Sequence, residues 1–214
     1  MPPRSLSALV GAVALGGCSF LGIRTVEEPS YTVVDRPGGS IPVEVRRYPP
    51  RLAAETVVDA RGGTWKAESD AFGILAGFIF GGNRQRQEVA MTAPVEVAPN
   101  SAKVAMTAPV ETAAAKGDRL VMRFLMPTAF TRDTLPVPTD DRVRIVELPE
   151  RTLAVLRFTG RGTPEAVQER QAELLKALAG SAWKPAGEPT ALFYDPPWTI
   201  PFLRRNEVAA PVER

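Results

Sequence analysis

The sequence has no histidine, only one cysteine, and no dense run of lysine or arginine. Without histidine there is no Ser-His-Asp triad, no Cys-His pair and no His-ligated zinc site. A single cysteine excludes a disulfide within the chain. The formal net charge of +2, with no basic run, gives no indication of nucleic-acid binding. The 21 prolines favour short strands and irregular connections over a helical bundle.

Residues 1–17 have the pattern of a secretory signal peptide. Arg4 is the only charge before residue 24, residues 5–15 form a short apolar run, and two glycines follow. The run is shorter than the about 20 apolar residues that cross a bilayer. The sequence therefore predicts export, with the leader removed.

The segment at residues 15–18, Leu-Gly-Gly-Cys, resembles the bacterial lipobox. This resemblance predicts lipidation of Cys18, a lipidated N-terminus and tether over residues 18–30, and anchoring to the membrane through acyl chains. Ser19 follows the cysteine, which by the same resemblance favours the outer membrane, with the protein facing the periplasm. A simple signal peptide, or a buried helix with an incidental cysteine, stays open as the alternative.

Two segments of the chain are similar at an offset of 100. Residues 43–62 and 143–162 share six identical positions, among them Arg51 and Arg151. Each copy is predicted to form two short strands around a proline-containing turn, followed by a helix. This pattern indicates a duplicated half-domain.

The first predicted helix covers about residues 66–80. Its apolar residues Phe72, Leu75, Phe78 and Ile79 recur at helical spacing, yet the segment is apolar nearly all round. Such a helix is plain core, or one wall of a ligand site, or a contact with a membrane surface. The sequence leaves these three interpretations open.

The second predicted helix covers about residues 164–179. Thr163 suits the N-cap, Pro164 the first turn and Gly180 the end. One apolar stripe and an opposite charged face are typical of a helix that packs on a sheet.

The octapeptide VAMTAPVE occurs twice, at residues 89–96 and 104–111. Turn-forming residues lie between the copies, so the pattern predicts a hairpin of two similar strands. The proline in each copy favours an edge strand or a bulge, because proline cannot donate to the ladder.

The repeated Met-Thr-Ala-Pro-Val resembles the signature of the SOUL heme-binding family. Other segments resemble the family in the same order, over about residues 30–213. They are residues 124–127 with 134–138, residues 143–160, and residues 194–198 with 204–208.

The resemblance implies an α+β fold: a distorted β-barrel of two pseudo-twofold-related βαβββ-type halves with two packed helices, as in gyrase-inhibitor-like domains. The domain would cover residues 31–213, with halves at about 31–127 and 140–213. Members bind heme or related tetrapyrroles in a shallow apolar site that involves the first helix and nearby loops.

On this basis we expect the first helix and the segment after it to bind the macrocycle, and nearby arginines to bind the propionates. Where relatives carry lysines, this chain has Phe78-Ile79-Phe80 and residues 198–201, which makes the expected site more apolar. For Arg204 and Arg205 we favour a structural role, because Glu207 is near in sequence. The residues expected to bind the ligand are Phe72, Leu75, Phe78, Ile79, Phe80, Arg84, Arg86, Met91 and Met106.

Heme iron would need an axial ligand other than histidine. The available residues are Met91, Met106, Tyr48 and Tyr194, and the sequence does not decide among them. The resemblance also implies that tetrapyrroles can be held by an apolar surface without a strong axial ligand.

Three alternatives to tetrapyrrole binding remain. The protein could bind another hydrophobic small molecule or a lipid, or it could be a structural envelope lipoprotein whose residues 71–82 contact a membrane or partner. The third is a small-molecule hydrolase that uses Glu96 or Glu111 with Tyr194, and an inward-facing carboxylate would favour it. We expect a binding protein rather than an enzyme.

Overall fold

A computed structural model describes residues 26–37, 39–99, 119–196 and 198–214. Cys18, Met106, Glu111 and the second VAMTAPVE copy lie outside these ranges. No helix in the described ranges is long and apolar enough to cross a membrane. The described strands are β1 (Thr32–Asp35), β2 (Val43–Tyr48), β3 (Arg51–Asp59), β4 (Val95–Pro99), β5 (Arg119–Leu125), β6 (Arg144–Leu148), β7 (Arg151–Phe158), β8 (Lys184–Pro185), β9 (Thr190–Phe193) and β10 (Asn206–Glu213), and the helices are α1 (Thr64–Ile79) and α2 (Pro164–Ala179).

The strands form one curled antiparallel sheet, a half-barrel with the two helices packed on it. The order across the sheet is β1-β2-β7-β10-β9-β4-β5-β3-β6, and β8 pairs with β10 beside this path. Strands β4 and β9 pair at the centre of the order. Strands β1 to β5 come from the first half of the chain and β6 to β10 from the second, and both halves supply strands to each side of this central pair. The predicted α+β class and distorted barrel are confirmed.

The two similar segments pair with each other rather than within themselves. Strand β2 pairs with β7, and β3 pairs with β6. Glu44 lies opposite Val155, and Arg144 lies opposite Glu55, so the two ladders have the same register at an offset of 100. A proline turn separates the strands in each segment because proline cannot continue a ladder.

Helix α1 packs on β3 and β5 through one face. It begins two residues before the predicted start, after Gly63 with φ of 101°, and ends one residue before the predicted end. The prediction placed the start too late because no side chain caps this helix. Its buried face is formed by Ala67, Ala71, Leu75, Phe78 and Ile79.

Helix α2 has the predicted bounds. The Thr163 side chain accepts a hydrogen bond from the Ala166 backbone N–H at 3.3 Å, which is the expected N-cap. Leu174 and Leu178 are fully buried and belong to a core cluster with residues of β7 and β10.

The prediction that proline marks an edge strand is wrong for the first signature copy. Strand β4 lies in the middle of the sheet, between β9 and β5. Pro94 precedes the strand and Pro99 is its last residue, so neither interrupts the ladder. Thr92 of the signature donates a hydrogen bond to the Leu125 carbonyl at 2.5 Å and ties this segment to the end of β5.

The two faces of the sheet differ in chemistry, because successive residues of a strand point to opposite faces. On the helix-covered face, Ala54 of β3 and Phe124 of β5 join the apolar cluster under α1. On the opposite face, Glu55 and Arg123 of the same strands form a buried ion pair at 2.6 Å. The inside of the curl therefore contains buried charged groups beside an apolar cluster.

Candidate functional site: a cleft along the first helix

An open cleft of about 1110 Å³ runs along one face of α1. The end of β3 and residues 139–142 form its other walls. Gly73 and Gly77 lie one helical turn apart on the floor, and a Cβ at either position would meet no atom within 4 Å. The helix backbone is therefore open to a flat molecule along this turn.

Apolar side chains flank the two glycines. Val58 of β3, together with Ile74 and Phe78 of α1, lines the cleft. Val57 also borders the cleft, but it is two residues from Glu55 in the same strand, so its side chain points away from α1. The lining is mixed, because charged side chains such as Asp59, Lys66 and Arg142 border the cleft as well. Small-molecule sites commonly combine an apolar surface with polar groups that fix the orientation of the ligand.

Three ion pairs surround the cleft. Hydrogen bonds from Arg61 and from Arg142 hold the pKa of Asp59 and of Asp140 at about 2. Exposed pairs of this kind contribute little to stability and can exchange partners. The cations at the rim are therefore available to a carboxylate ligand only in competition with aspartate. The pairs are Arg61 with Asp59, Lys66 with Asp70, and Arg142 with Asp140.

The residues expected from the sequence fall into separate environments. Leu75, Phe78 and Ile79 belong to the buried core under α1, and of these only Phe78 also borders the cleft. Phe72 is 42% exposed and Phe80 is 70% exposed, and neither lines the cleft. Phe72 instead contacts Phe124 edge-on, with 5.3 Å between ring centroids.

Arg84 and Arg86 lie in the exposed turn after α1. Asn83 shapes this turn by donating hydrogen bonds to the carbonyls of Phe78 and Gln87, at 3.2 and 2.6 Å. Arg86 has a φ of 51°, and the Arg84 backbone N–H donates to Val137. Met91 is half-buried against the core under α1.

A network of buried arginines and glutamates on the opposite face of the sheet was not predicted. Glu207 is fully buried and accepts hydrogen bonds from Arg46 at 2.9 Å, from Arg205 at 2.8 Å, and from the Tyr194 hydroxyl at 2.7 Å. The structural pairing of Arg205 with Glu207 was expected from the sequence. Arg46 was missed because it is 161 positions from Glu207.

A second part of this network surrounds Glu96. Both of its oxygens accept hydrogen bonds from Arg151, at 3.2 and 2.6 Å, and one also accepts from Arg123 at 3.2 Å. Arg123 in turn pairs with Glu55. The sequence did contain a signal for this network, namely the alternation of charged and apolar residues in the strands. The network was still missed, because the same alternation is typical of a strand with one face in solvent.

Burial opposes the charge on Glu96 and Glu207, but the adjacent guanidiniums outweigh it. The pKa of each carboxyl is therefore held below its usual value, by Arg151 and Arg123 for Glu96 and by Arg46 and Arg205 for Glu207. Glu96 does face inward, as the hydrolase alternative required, but a carboxylate held by arginines at a low pKa is a poor general base. Burial, followed by the charge of Glu207, raises the pKa of Tyr194.

These pKa shifts predict acid lability. Each carboxyl has a lower pKa in the folded chain than in the unfolded one, so its ionised form contributes stability above about pH 4.5. That contribution is lost as the pH falls through the folded pKa. Urea unfolding at pH 7, 5, 4 and 3 should show a falling midpoint below about pH 4.5. An unchanged midpoint down to pH 3 would contradict the assignment.

Tyr48 and Tyr194, two of the expected iron ligands, lie on the face of the sheet opposite α1. Both are buried in a cluster with Leu153 and Leu192. The Tyr48 hydroxyl accepts from Arg46 at 3.4 Å, and Tyr194 is bonded to Glu207. Among the described residues, no three carboxylate, thiol or imidazole side chains converge to hold a metal ion.

A curled antiparallel sheet with two packed helices and an open cleft along the first of them defines a domain of the α+β class. The sequence model of the family described as SOUL heme-binding protein matches residues 26–211. The chain therefore belongs to the SOUL heme-binding protein family. Membership supports a general role in binding heme or a related tetrapyrrole.

No curated protein matches the chain significantly. Similar solved structures include the C-terminal domain of EcmrR, with a TM-score of 0.57 and 10% identity over 80% of this chain and 97% of that one. A hydrolase encoded by lin2189 from Listeria innocua has a TM-score of 0.51 and 13% identity, over 80% and 91%. An uncharacterized conserved protein from Listeria innocua has a TM-score of 0.51 and 14% identity, over 88% and 93%. At these identities the likeness shows the fold alone.

Proposed function

We propose that the protein binds heme or a related tetrapyrrole in the cleft along α1, and that it does so as a lipid-anchored protein of the cell envelope. The observation that carries the proposal is the floor of the cleft. The backbone at Gly73 and Gly77 is uncovered, and Val58 and Ile74 lie beside it. A flat macrocycle can contact this surface over its whole face, and burial of its apolar area would supply most of the binding free energy.

The cations of the rim are the propionate partners in this proposal. Arg61, Lys66 and Arg142 already have aspartate partners, so a propionate would replace an exposed carboxylate rather than neutralise a free charge. The charge term of binding is small for that reason. Phe72, Phe80, Arg84, Arg86 and Met91 remain the predicted ligand residues of a neighbouring flank, and their role is a proposal as well. Met106 also remains a predicted ligand residue and lies outside the described ranges.

Filling the floor of the cleft should weaken binding. With hemin and protoporphyrin IX titrated into the full-length protein and followed by Soret absorbance, Gly77→Leu should bind at least about tenfold more weakly than the wild type, because the side chain occupies the path of the macrocycle. The fold should tolerate the change, since a helix-interior glycine costs about 0.5–1 kcal/mol relative to alanine.

Gly180→Leu is the matched control. Gly180 also has open space at its Cβ position and a negative φ, but it ends α2, away from the cleft. It should bind like the wild type. If Gly77→Leu binds as tightly as Gly180→Leu, the cleft is not the site, and Phe72→Ala and Phe80→Ala become the variants to measure.

The comparison of hemin with protoporphyrin IX tests the role of iron. Equal affinities would support an apolar site without an obligatory axial ligand, as expected for a chain without histidine. Binding of hemin alone would require a ligand to the iron. Substitution of Met91, Met106, Tyr48 and Tyr194 would then identify it.

A second candidate is an uncharged, planar hydrophobic molecule. The aspartates that already occupy the rim cations favour it over a dianionic ligand. The dimethyl ester of protoporphyrin IX distinguishes the two. Tighter binding of the ester than of the free acid would favour the uncharged class, and tighter binding of the acid would favour the tetrapyrrole with free propionates.

Envelope anchoring through Cys18 is a separate part of the proposal, supported by the lipobox-like segment. Expression of the full chain in a bacterium with radiolabelled palmitate should give a labelled protein in the membrane fraction. Cys18→Ser should lose the label and leave the membrane fraction, while Ser19→Ala should retain both. Label on the Cys18→Ser protein would contradict the assignment.

A further inference from the structure

Arg51 is a half-buried cation that forms no hydrogen bond or ion pair with a carboxylate of the described residues, although the charge of Glu96 acts on it. Its Nε and one terminal nitrogen are shielded from solvent and have no hydrogen-bond acceptor among the described residues. The guanidinium lies over the ring of Tyr48, 4.6 Å from the centroid. Every other arginine of the network inside the curl of the sheet pairs with at least one glutamate. Those pairs are Arg46 with Glu44 and Glu207, Arg123 with Glu55 and Glu96, Arg151 with Glu96, and Arg205 with Glu28 and Glu207.

Arg151 is the counterpart of Arg51 in the second similar segment, and each begins the strand after a proline turn. Arg151 uses its two terminal nitrogens on Glu96, and its Nε, also shielded, has no acceptor in the described part of the chain. Glu96 accepts from Arg123 as well, so Arg51 shares the charge of Glu96 with two arginines that are hydrogen-bonded to it.

Arg51 adds a third cation to Arg123 and Arg151, which already pair with Glu55 and Glu96. Burial, and then repulsion from Arg151, lowers the pKa of Arg51 to about 10. The guanidinium is still charged at neutral pH, and a buried charge is costly unless an opposite charge compensates it.

We propose that Arg51 and Arg151 form a binding site for a carboxylate group inside the curl of the sheet, beside Tyr48. A carboxylate supplies one negative charge and accepts hydrogen bonds from guanidinium N–H groups, which is what the three shielded nitrogens lack. The site is on the face of the sheet opposite the α1 cleft and goes beyond the proposed function. Both arginines retain some exposure, which gives a small solute access from the rim.

The test is thermal unfolding of the full-length protein while sodium acetate replaces sodium chloride at constant ionic strength. The wild type should show a saturable rise in Tm of several degrees, because a ligand that binds only the folded state stabilises it. Arg51→Met should show no such rise and, without acetate, should be at least as thermostable as the wild type, since it removes a partly buried charge that has no hydrogen-bonded carboxylate. Arg51→Gln serves as a second variant.

Arg47→Met is the control for the substitution itself. Arg47 is exposed on β2, one residue from Arg46 and on the other face of the strand, so its replacement should leave the acetate response intact. Equal acetate responses in the wild type and in Arg51→Met would overturn the proposal. The proposal would also be overturned if acetate does not stabilise the wild type, unless the difference between protoporphyrin IX and its dimethyl ester depends on Arg51.

That comparison separates a free small acid from the carboxylate of a larger ligand. If protoporphyrin IX binds more tightly than its dimethyl ester to the wild type and to Arg47→Met, and the difference disappears in Arg51→Met, the carboxylate belongs to the tetrapyrrole. An acetate response without this difference assigns the site to a free small acid. If neither an acetate response nor this porphyrin difference is found, the Arg51 site is ruled out, and the α1 cleft proposal is unaffected.

Discussion

Replacing Glu207 by glutamine should lower the free energy of unfolding by about 3–5 kcal/mol. Glutamine keeps the shape of the side chain but removes the charge that compensates Arg46 and Arg205 in a fully buried position. It also leaves the Tyr194 hydroxyl with a weaker acceptor. Urea unfolding at pH 7 measures the effect. Below about pH 4.5 the stability of the variant should fall less than that of the wild type, because one of the titrating carboxyl groups has been removed.

Glu44→Gln is the matched control for this loss. Glu44 pairs with the same Arg46 at 2.9 Å, but its side chain is 28% exposed. Water can replace an exposed carboxylate, so the cost should stay near about 1 kcal/mol or below. Equal losses for Glu44→Gln and Glu207→Gln would mean that burial does not set the strength of the network.

Truncation of Phe78 to alanine should cost about 3–5 kcal/mol of unfolding free energy. Phe78 is 2% exposed and belongs to the cluster that holds α1 on the sheet, so the change leaves a cavity that the neighbouring residues fill only in part. Because Phe78 also borders the cleft, hemin affinity should fall in the same variant. Urea unfolding and the Soret titration measure the two effects separately.

Phe72→Ala is the comparison for Phe78. Phe72 is 42% exposed and contacts Phe124 through one ring edge, so its truncation should cost only about 1–2 kcal/mol. Similar losses at the two positions would show that α1 does not bury the face assigned to it. Loss of hemin binding in Phe72→Ala with full binding in Gly77→Leu would move the ligand to the Phe72 flank.

The ends of α2 and the strands of the two similar segments could be predicted from the sequence, because their signals are local. Thr163, Pro164 and Gly180 act on the residues next to them, and the proline turns separate adjacent strands. Helix α1 was harder to predict. Its residues are apolar nearly all round, so periodicity did not distinguish the buried Phe78 from the exposed Phe72 and Phe80.

The sequence by itself determined the family, the α+β class and the approximate position of both helices, since motif order and hydrophobic spacing are properties of neighbouring residues. Only the tertiary structure decided which face of α1 is open and which charges meet inside the sheet. Gly73 and Gly77 become the floor of a cleft because residues 139–142 stand across from them. Arg46 and Glu207 become partners because β2 and β10 both pair with β7, and no local pattern records a contact made across 161 positions.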